Sequence, residues 1–339
     1  MKLQSGARVA VAGAGALGSA VTLRLARLGF QVTAFDPSLG HVNASSVAAG
    51  MLAPVSEALF DPPSRDHLDV MRRARNLWPD FAAALGVRLV RSGVRIEGAE
   101  GWRREVAVRL DALGAPAGAF IDEDWRIDAR QTLEALHEAA RNAGATFQSA
   151  AVRAFEPGLA TLADGRREAF EALVLATGPG VRGGDLAPET RVLTPIKGQI
   201  LRLSMQGDDE APVVRGEGVY LAPGGAALAI GATMEHGRDD LAPDRAATKA
   251  LRAAAAALRP DLDLDQAEVE VGVRVTTPDG LPLVGWSQAP GVLIAVGARR
   301  NGWLFAPLVA DLVGAYLTGD NLGQDAAAMD ARRFEKPKT

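Results

Sequence analysis

Residues 8–36, RVAVAGAGALGSAVTLRLARLGFQVTAFD, constrain the fold of this chain more than any other stretch. Arg8 to Ala12 form a short apolar run suited to a buried strand, and three glycines follow it in the spacing G-x-G-x-x-G. Apolar residues then recur every three or four positions, which predicts a helix that stops at Gly29. Gln31 to Phe35 predict a second strand. A strand, a glycine turn, a helix and a strand in this order indicate a dinucleotide-binding fold.

The glycines and the acid of this stretch have separate physical roles. Gly13 allows a tight turn, Gly15 allows the backbone to approach a pyrophosphate, and Gly18 lets the helix pack closely on the strand. The helix N-terminus adds free N–H groups and a positive dipole end. Asp36 lies 18 positions after Gly18, near the roughly 20 expected for an acid that bonds a ribose hydroxyl, and a carboxylate there disfavours NADP. The alternative is an ordinary glycine-rich turn with Asp36 as a solvated strand end.

Composition limits the class of protein. The chain has 339 residues, 48% of them hydrophobic and 23% charged, which suits two domains with sizeable cores. A net charge of −4 argues against nucleic acid or an anionic membrane as the main partner. Cysteine is absent, which excludes disulfides, thiolate catalysis, Cys-ligated metals and a flavin tethered to cysteine. The four histidines show no metal-ligand spacing, so we expect no metal site. We expect each to be a surface side chain or one whose hydrogen-bonding groups have partners: His41, His67, His137 and His236.

Targeting signals are the next constraint. No run of about 18 apolar residues is present, so the sequence predicts no membrane span. Lys2 and Arg8 precede an apolar stretch as they would in a signal peptide, but three glycines interrupt that stretch and the nucleotide fold explains it better. We therefore expect a cytoplasmic enzyme, with self-association into a homo-oligomer left open.

Further along the chain, α/β patterns alternate with antiparallel ones. The predicted elements are a helix capped by Asp128 and running to Asn142, strands over 146–155, 171–177, 266–275 and 292–296, hairpins at 164–165 and 223–225, and helices over 244–258 and 304–317. Antiparallel signals cluster between about 190 and 275, with α/β units on both sides. This order predicts a nucleotide domain of separated segments interrupted by a sheet domain. Since NAD dehydrogenases more often keep these segments contiguous, the order favours FAD.

Five motifs in a fixed order extend the argument to the whole chain. They are ASSVAAGMLAP (44–54), TPIKGQ (194–199), YLAP with IGATME (220–235), TPDGLPLVG (277–285) and RNGWLFAP (300–307). Together they resemble the FAD-dependent D-amino acid oxidase family, most closely its glycine oxidase branch. The resemblance implies an α/β protein with a discontinuous Rossmann-type FAD-binding domain and an antiparallel-sheet substrate domain. The expected FAD-binding segments are 1–60, 128–186 and 276–330, and the expected substrate segments are 61–127 and 187–275.

The same resemblance implies which residues contact FAD, which we expect to be bound non-covalently. The glycine motif would hold the pyrophosphate, Asp36 the ribose and the Val152 backbone the adenine, and the segment after Arg300 would pass the pyrimidine edge of the flavin. The positive end of the helix that begins there would favour negative charge on the reduced flavin. The expected contacts in chain order are Gly13, Gly15, Ala16, Leu17, Gly18, Asp36, Pro37, Ser45, Ser46, Ala49, Gly50, Met51, Val152, Thr177, Gly178, Arg300, Asn301, Gly302, Trp303 and Leu304.

Three residues are implied to handle the substrate. Arg274 and Arg300 match arginines of the family, and a guanidinium offers a planar fork suited to a carboxylate. Tyr220 matches the pocket tyrosine of the YLAP hairpin. The alternatives are a surface salt bridge for Arg274, an inward-facing Arg299 in place of Arg300, and a packed core position for Tyr220.

The chain departs from the family pattern around its RNG motif. Ala298 and Arg299 stand where relatives often carry histidine, phenylalanine or tyrosine, and Trp303 stands where many carry a smaller aliphatic residue. We expect Trp303 to narrow the substrate pocket. These departures leave the substrate side chain open.

The implied activity is FAD-dependent oxidative deamination of glycine, sarcosine or a small D-amino acid. The α-hydride passes to flavin N5, the imino acid hydrolyses to the 2-oxo acid and ammonia, and oxygen reoxidises the flavin to give hydrogen peroxide. In the glycine oxidase branch, the imine from glycine can feed thiamine biosynthesis. The alternatives are a D-amino acid dehydrogenase that passes electrons to a quinone, a NAD-dependent dehydrogenase, and a non-catalytic flavin-binding assembly factor.

Overall fold

The computed structural model describes residues 2–116, 118–181, 184–205 and 207–335. Its strands are β1 (Arg8–Ala12), β2 (Gln31–Phe35), β3 (Met51–Leu52), β4 (Leu89–Val90), β5 (Val94–Ile96), β6 (Phe120–Ile121), β7 (Trp125–Ile127), β8 (Thr146–Gln148), β9 (Val152–Glu156), β10 (Gly158–Leu162), β11 (Arg167–Phe170), β12 (Ala172–Leu175), β13 (Thr194–Ser204), β14 (Val213–Gly216), β15 (Val219–Gly224), β16 (Ala227–Gly231), β17 (Glu235–His236), β18 (Glu268–Thr276), β19 (Leu283–Trp286) and β20 (Val292–Val296).

Helices of two kinds connect these strands. The α-helices are α1 (Ala16–Arg27), α2 (Ala44–Val47), α3 (Pro54–Phe60), α4 (Leu68–Asn76), α5 (Trp78–Leu85), α6 (Glu100–Ala112), α7 (Ala129–Asn142), α8 (Arg245–Leu258), α9 (Gly302–Thr318) and α10 (Ala326–Met329). Short 3₁₀ helices occupy Pro62–His67, Gly178–Val181, Pro188–Val192 and Leu264–Gln266.

The chain divides into two compact units, each built from separated segments. The first unit comprises Met1–Ser46, Thr132–Pro195 and Arg274–Thr339. The second unit comprises Val47–Gln131 and Ile196–Val273.

The first unit is organised around a six-stranded sheet. Its strand order is β8-β2-β1-β12-β20-β19, in which every neighbouring pair is parallel except the antiparallel pair β19–β20. Helices α1 and α9 pack on each other and both contact this sheet. The strands predicted at Arg8–Ala12, Gln31–Phe35 and Val292–Val296 are confirmed with the same bounds. The helix predicted after the glycines is also confirmed, because α1 ends at Arg27 and Gly29 follows with a φ of +85°.

A small antiparallel sheet, β9-β10-β11, shares a hydrophobic cluster with the strands of the large sheet. Within that cluster the rings of Phe35 and Phe170 meet edge to face, with centroids 5.8 Å apart. The single strand predicted over 146–155 is wrong. The chain bends after Gln148, whose carbonyl accepts from Ala150 N, so β8 joins the large sheet and β9 joins the small one.

The second unit is dominated by antiparallel pairing. Strands β17-β13-β16-β15-β14 pair antiparallel in that order, β14 continues in parallel to β5, β5 pairs with β6, and β18 pairs with β13. Helix α8 buries Leu251 and Ala255 against this sheet in an apolar cluster. The helix cap predicted at Asp128 is present at the start of α7, because Asp128 Oδ1 accepts from Gln131 N at 2.9 Å. Helix α8 has a cap of the same kind, because Asp244 Oδ1 accepts from Ala247 N at 2.9 Å. The hairpin predicted at 223–225 is present between β15 and β16, with its turn at residues 225–226, because Pro223 and Gly224 are still paired within the hairpin.

These two sheets confirm the predicted fold class, which combined a parallel Rossmann-type sheet with an antiparallel one. A strand triplet, β3-β7-β4, and helices α3 to α6 complete the second unit. In the part of the chain that the structure describes, no helix has both the length and the apolar character that crossing a membrane requires.

Candidate active site

The glycine loop of the first unit lies at the carboxyl ends of three strands. Gly13 N donates to Phe35 O at 2.7 Å, and Ala176 N donates to Ala12 O at 2.7 Å. Gly13 has a φ of +106°, and a Cβ on it would lie 2.3 Å from Ala176 O. A Cβ on Gly18 would lie 2.0 Å from Gly13 O. Only glycine fits at both positions, which agrees with the turn and packing roles inferred from the sequence.

Gly15 differs from the other two glycines because its surroundings are open. A Cβ there would meet only Ser45 within 4 Å, at 2.9 Å from its Oγ. That same Oγ accepts from Ala16 N at 2.9 Å, in the first turn of α1. The helix therefore begins against the hydroxyl of Ser45, at the place where the sequence analysis expects a pyrophosphate.

Asp36 is tied to the glycine loop and does not end its strand in solvent. It is half-buried, its Oδ2 accepts from Ala14 N at 2.7 Å, and its Oδ1 accepts from the N and Oγ of Ser38 at 2.8 and 2.6 Å. A carboxylate has about four acceptor sites, so these three bonds leave capacity for a ribose hydroxyl. Pro37, the neighbouring predicted contact, is exposed.

His137 is a site residue that the sequence analysis did not single out. Its Nε2 lies 3.1 Å from Ala14 O and 2.9 Å from Ser19 Oγ, and Ser19 Oγ donates to the same carbonyl at 2.8 Å. Burial lowers the pKa of His137, so the ring is held neutral. The peptide of Ala14 is thus fixed at its N–H by Asp36 and at its carbonyl by Ser19 and His137. No sequence spacing signals this contact, because it joins positions 123 residues apart.

The loop after β12 contains an orphaned polar atom. Thr177 Oγ1 is buried and has no hydrogen-bond partner among the described residues. It belongs to the segment on which Gly13 rests, since a Cβ on Gly13 would lie 2.8 Å from Thr177 Cα. Val152 is half-buried and packs against the apolar cluster that holds Phe35. An unsatisfied hydroxyl beside a loop whose Gly13 and Gly18 admit no side chain fits a dinucleotide cofactor at this edge of the sheet.

Three of the predicted cofactor contacts, Ala49, Gly50 and Met51, lie in the second unit. Gly50 has a φ of +74°, and a Cβ on it would lie 2.1 Å from Ile127 O. Its carbonyl accepts from Ile127 N at 3.0 Å, and Met51 pairs with Arg126. Gly50 is therefore required by the packing of β3 on β7, and its contact with FAD stays a prediction.

The structure brings together the backbone segments that carry the two predicted substrate arginines. Arg299 N donates to Val275 O at 3.0 Å, and an antiparallel bridge joins the two segments one residue further on. Because Arg274 precedes Val275 and Arg300 follows Arg299, their backbones lie side by side. Both side chains are half-buried.

Arg299 itself has an unusual backbone conformation. Its φ of +52° lies in the left-handed region, and its side chain is buried, with 9% of the residue exposed. Non-glycine residues rarely adopt this region, and such conformations are concentrated at functional sites. The turn it creates leads directly to Asn301, which precedes α9 and whose N–H donates to Ala298 O at 2.7 Å.

Tyr220 lies on β15 in the second unit and is 5% exposed. It stands opposite Gly231 of β16, and a Cβ on that glycine would lie 2.4 Å from the Tyr220 hydroxyl. The absence of a side chain at Gly231 therefore makes room for the phenol ring. Its role in a substrate pocket stays a prediction.

Trp303 occupies the first turn of α9 and is 4% exposed. Its indole Nε1 donates to Ser45 O at 3.0 Å. The side chain is thus attached to the loop that carries the predicted pyrophosphate contacts. Among the described residues, no group of three or more His, Cys, Asp or Glu side chains is placed to hold a metal ion.

Comparison with known proteins extends these observations. A family model described as FAD dependent oxidoreductase (DAO) matches residues 8–316. The chain is 29% identical to the glycine oxidase of Geobacillus kaustophilus (strain HTA426), an alignment covering 90% of this chain and 92% of that protein. It is 28% identical to the bifunctional protein ThiO/ThiG of Nostoc sp. (strain PCC 7120), covering 90% of this chain and 52% of that protein.

A solved structure shows the same fold over nearly the whole length. The crystal structure of glycine oxidase from Geobacillus kaustophilus matches with a TM-score of 0.82 and 26% identity, covering 97% of this chain and 100% of that one. These matches confirm the predicted FAD cofactor, the oxidoreductase class and the resemblance to glycine oxidases. They argue against a NAD-dependent dehydrogenase and against a non-catalytic flavin protein.

Proposed function

The chain belongs to the family of FAD dependent oxidoreductases, and on that premise we propose that it deaminates a small amino acid with oxygen as the electron acceptor. The proposed substrates are glycine, sarcosine or a small D-amino acid such as D-alanine. The amino acid loses two electrons and two hydrogens to become an imino acid, which takes up water to give the 2-oxo acid and ammonia, or methylamine when the substrate is sarcosine. Oxygen accepts the two electrons and two protons as hydrogen peroxide.

FAD, when bound, supplies the acceptor for the hydride that leaves the substrate α-carbon. The residues proposed to hold it are the glycine loop for the pyrophosphate, Asp36 for the ribose, and Ser45 and Thr177 for further oxygen atoms. Since the chain has no cysteine, we propose that this binding is non-covalent.

The observation that carries the proposed substrate class is the adjacency of the backbones at Arg274 and Arg300. Two guanidinium groups carried by neighbouring backbone segments, β18 and the turn before α9, offer planar, permanently charged donors, and a carboxylate is their best-matched small partner. A substrate held by its carboxylate presents its α-carbon and amine in a fixed orientation, which is how such a site lowers the entropic part of the barrier.

The position of these arginines relative to α9 supports the same proposal. Arg300 lies two residues before Gly302, where this 17-residue helix begins. The N-terminus of a helix carries about half a positive charge. The helix and the arginines together favour bound carboxylate and developing negative charge in the same region.

The proposal is tested by an amino-acid panel on the purified protein, with peroxide release and dye reduction measured in parallel. We expect a yellow protein that releases FAD on denaturation and produces peroxide with glycine, sarcosine or D-alanine. Dye reduction without peroxide release would indicate that a quinone, and not oxygen, is the electron acceptor. A preference for bulky L-amino acids would contradict the proposed substrate class.

The arginine assignment has its own test in Arg274→Ala. Loss of a charge-assisted hydrogen bond costs about 1.5–3 kcal/mol, so we expect KM for the amino acid to rise about 10- to 150-fold. FAD content and the unfolding midpoint should stay close to those of the wild type. Arg274→Lys should recover only part of the loss, because an ammonium cannot reproduce the fork. If Arg274→Ala kept the wild-type kcat/KM, Arg274 would not bind the substrate carboxylate. The same substitution would then be tested at Arg300 and Arg299.

A further inference from the structure

Ser45 is held in the first unit by three separate groups. Asn43 Oδ1 accepts from Ser45 N at 3.0 Å, Ala16 N donates to Ser45 Oγ at 2.9 Å, and Trp303 Nε1 donates to Ser45 O at 3.0 Å. Asn43 is only two residues away along the chain and moves with the loop. Ala16 connects the loop to α1, and Trp303, which is 258 residues away, connects it to α9 through the only one of the three bonds that a side chain of another helix donates.

Helix α9 makes a rigid support for Trp303. Leu304, Phe305 and Ala306, which follow Trp303, are completely buried, and α9 packs along α1. Trp303 stands on the first turn of α9, while Ser45 touches the first turn of α1. The indole in the N-terminal turn of α9 therefore holds Ser45 against the N-terminus of α1.

The segment before Ser45 is ordered mainly by short-range bonds within itself, such as those between Asn43 and Ser46. Residues 37–40 form turns, Val42 is 65% exposed, and α2 is a single turn of four residues. A hydrogen bond from a buried side chain reduces the number of conformations that such a segment adopts in the absence of ligand. The segment then loses less conformational entropy when the ligand binds, so the affinity of the protein for the ligand is higher.

We propose that Trp303 is a positioning residue for the cofactor, which presents Ser45 to the pyrophosphate of FAD through its indole N–H. The inference rests on the proposed placement of the pyrophosphate at the glycine loop. It assigns the tryptophan a role in cofactor affinity instead of the substrate pocket, because its one polar atom is committed to the Ser45 loop. A smaller aliphatic side chain at position 303 has no donor for this bond.

The test compares FAD affinity in Trp303→Phe and in a matched variant. Phenylalanine keeps an aromatic ring and removes the N–H, so we expect the Kd of the apoenzyme for FAD to rise about 2- to 13-fold, the loss of one hydrogen bond. Trp286→Phe makes the same chemical change at a half-buried position on β19 and should leave the Kd unchanged. At saturating FAD, KM for the amino acid should change less in Trp303→Phe than the Kd for FAD does, and Trp286→Phe should leave KM unchanged.

A double-mutant cycle with Ser45→Ala separates this role from a general packing effect. If Trp303 acts through Ser45, the two substitutions together should weaken FAD binding by less than the product of their separate effects. Amide hydrogen exchange of the apoenzyme should accelerate in residues 43–46 of Trp303→Phe and not elsewhere in the first unit.

Two outcomes would overturn the inference. One is an unchanged FAD Kd in Trp303→Phe, and the other is a changed amino-acid KM at saturating FAD with an unchanged Kd. If Trp303→Phe does not fold, Trp303→Tyr takes its place, and the inference then requires weaker FAD binding together with faster exchange confined to residues 43–46. A wild-type protein that binds no FAD would instead contradict the proposed function.

Discussion

The two units of this protein differ in the kind of polar group that they use: mainly backbone atoms in the candidate site of the first unit, and ionisable side chains in the interior of the second. The candidate cofactor site of the first unit is built mainly from backbone atoms, with glycines at the positions where no side chain fits. The interior of the second unit holds ionisable side chains instead. Among the described residues, those buried in the second unit are Glu57, Asp61, Arg75, Asp124, Arg126 and Lys197, against Glu189, Arg299 and Asp325 in the first.

Arg126 shows how the second unit satisfies a buried charge. Its Nε donates to Pro223 O at 2.7 Å, its Nη1 donates to Ser92 Oγ and Ala211 O at 2.9 Å each, and its Nη2 donates to Asp209 O. Burial lowers the pKa of this guanidinium. One side chain thus joins three separate segments of the unit.

Asp124 performs a similar task with the opposite charge. Its two carboxylate oxygens accept from Val55 N and Ser56 N, each at 2.9 Å, at the beginning of α3. Burial raises the pKa of Asp124 to about 6, although its hydrogen bonds with Ser56 and Val55 act in the other direction.

The contrast teaches that the two units are sensitive to different perturbations. A backbone site is damaged by added volume, because the atoms that a new side chain would meet cannot move away. A core with buried charges is damaged by removal of a partner or by a change in pH. The predictions below test this difference.

The largest effect is expected from Gly18→Ala. The new Cβ would lie 2.0 Å from Gly13 O, a backbone atom, so helix α1 or the glycine loop must shift. We expect FAD to be lost on purification and the free energy of unfolding to fall by about 3 kcal/mol or more.

The matched control is Gly101→Ala in α6, where no atom lies within 4 Å of the added Cβ. Replacing a helical glycine with alanine should stabilise the protein by up to about 1 kcal/mol. FAD content by absorbance and urea denaturation measure both effects. If Gly18→Ala retained FAD, the proposal that position 18 requires glycine for steric reasons would be contradicted.

Arg126→Met should be the most damaging single change in the second unit outside its glycines. Four acceptors each lose a hydrogen bond at once, and we expect the free energy of unfolding to fall by about 3–5 kcal/mol. Arg104→Met on α6 is the control, since Arg104 pairs with Glu100 on the surface at 76% exposure, and it should change stability by less than about 0.5 kcal/mol. Equal losses in the two variants would show that the buried position has no special importance.

Local sequence patterns predicted the parts of the molecule that depend on local physics. The three strands of the dinucleotide unit, its glycine loop and the hairpin turns follow from periodicity and turn residues within a few positions of each other. The four helices α3 to α6 were not predicted. The carboxylate at the start of α3 comes from Asp124, 69 positions after the N–H of Val55. Bonds such as those of Trp303 to Ser45 and of His137 to Ala14 join distant positions, and no short pattern encodes them.

The raised pKa of Asp124 should be visible in the pH dependence of the free energy of unfolding. A carboxyl whose pKa is raised by folding stabilises the protein below its unfolded value of 3.8, and that contribution disappears as pH rises through about 6. A shift of this size corresponds to about 2–3 kcal/mol. We expect the difference in unfolding free energy between wild type and Asp124→Asn to shrink as pH rises from 4.5 to 7. A difference that grows with pH would reverse the sign and contradict the raised pKa.

His137 should give the smallest effect, and with the opposite sign. Its pKa is lowered from 6.5 mainly by burial and also by Arg141, while the bond with Ala14 and the charges of Asp36 and Glu134 oppose the shift. The neutral ring therefore stabilises the glycine loop above about pH 6.5, and the contribution is lost as pH falls. We expect FAD affinity to decline between pH 7.5 and 5.5 and the decline to be shallower in His137→Gln. Identical slopes in the two proteins would assign the decline to other groups.

The strand order of the first unit has a consequence for how the protein is made. Strand β1 pairs with β2 on one side and with β12 on the other, and β12 pairs with β20. On that second side, a sheet begun at residue 8 gains its next two strands only after residues 175 and 296 have left the ribosome. Helix α1 must wait longer still for α9. Because distant pairing is slow and leaves apolar strands uncovered in the interval, one edge of β1 stays open in the early β1–α1–β2 segment until β12 has been synthesised. Folding yield during synthesis should therefore depend on elongation rate and on holding chaperones more than on the final stability of either unit.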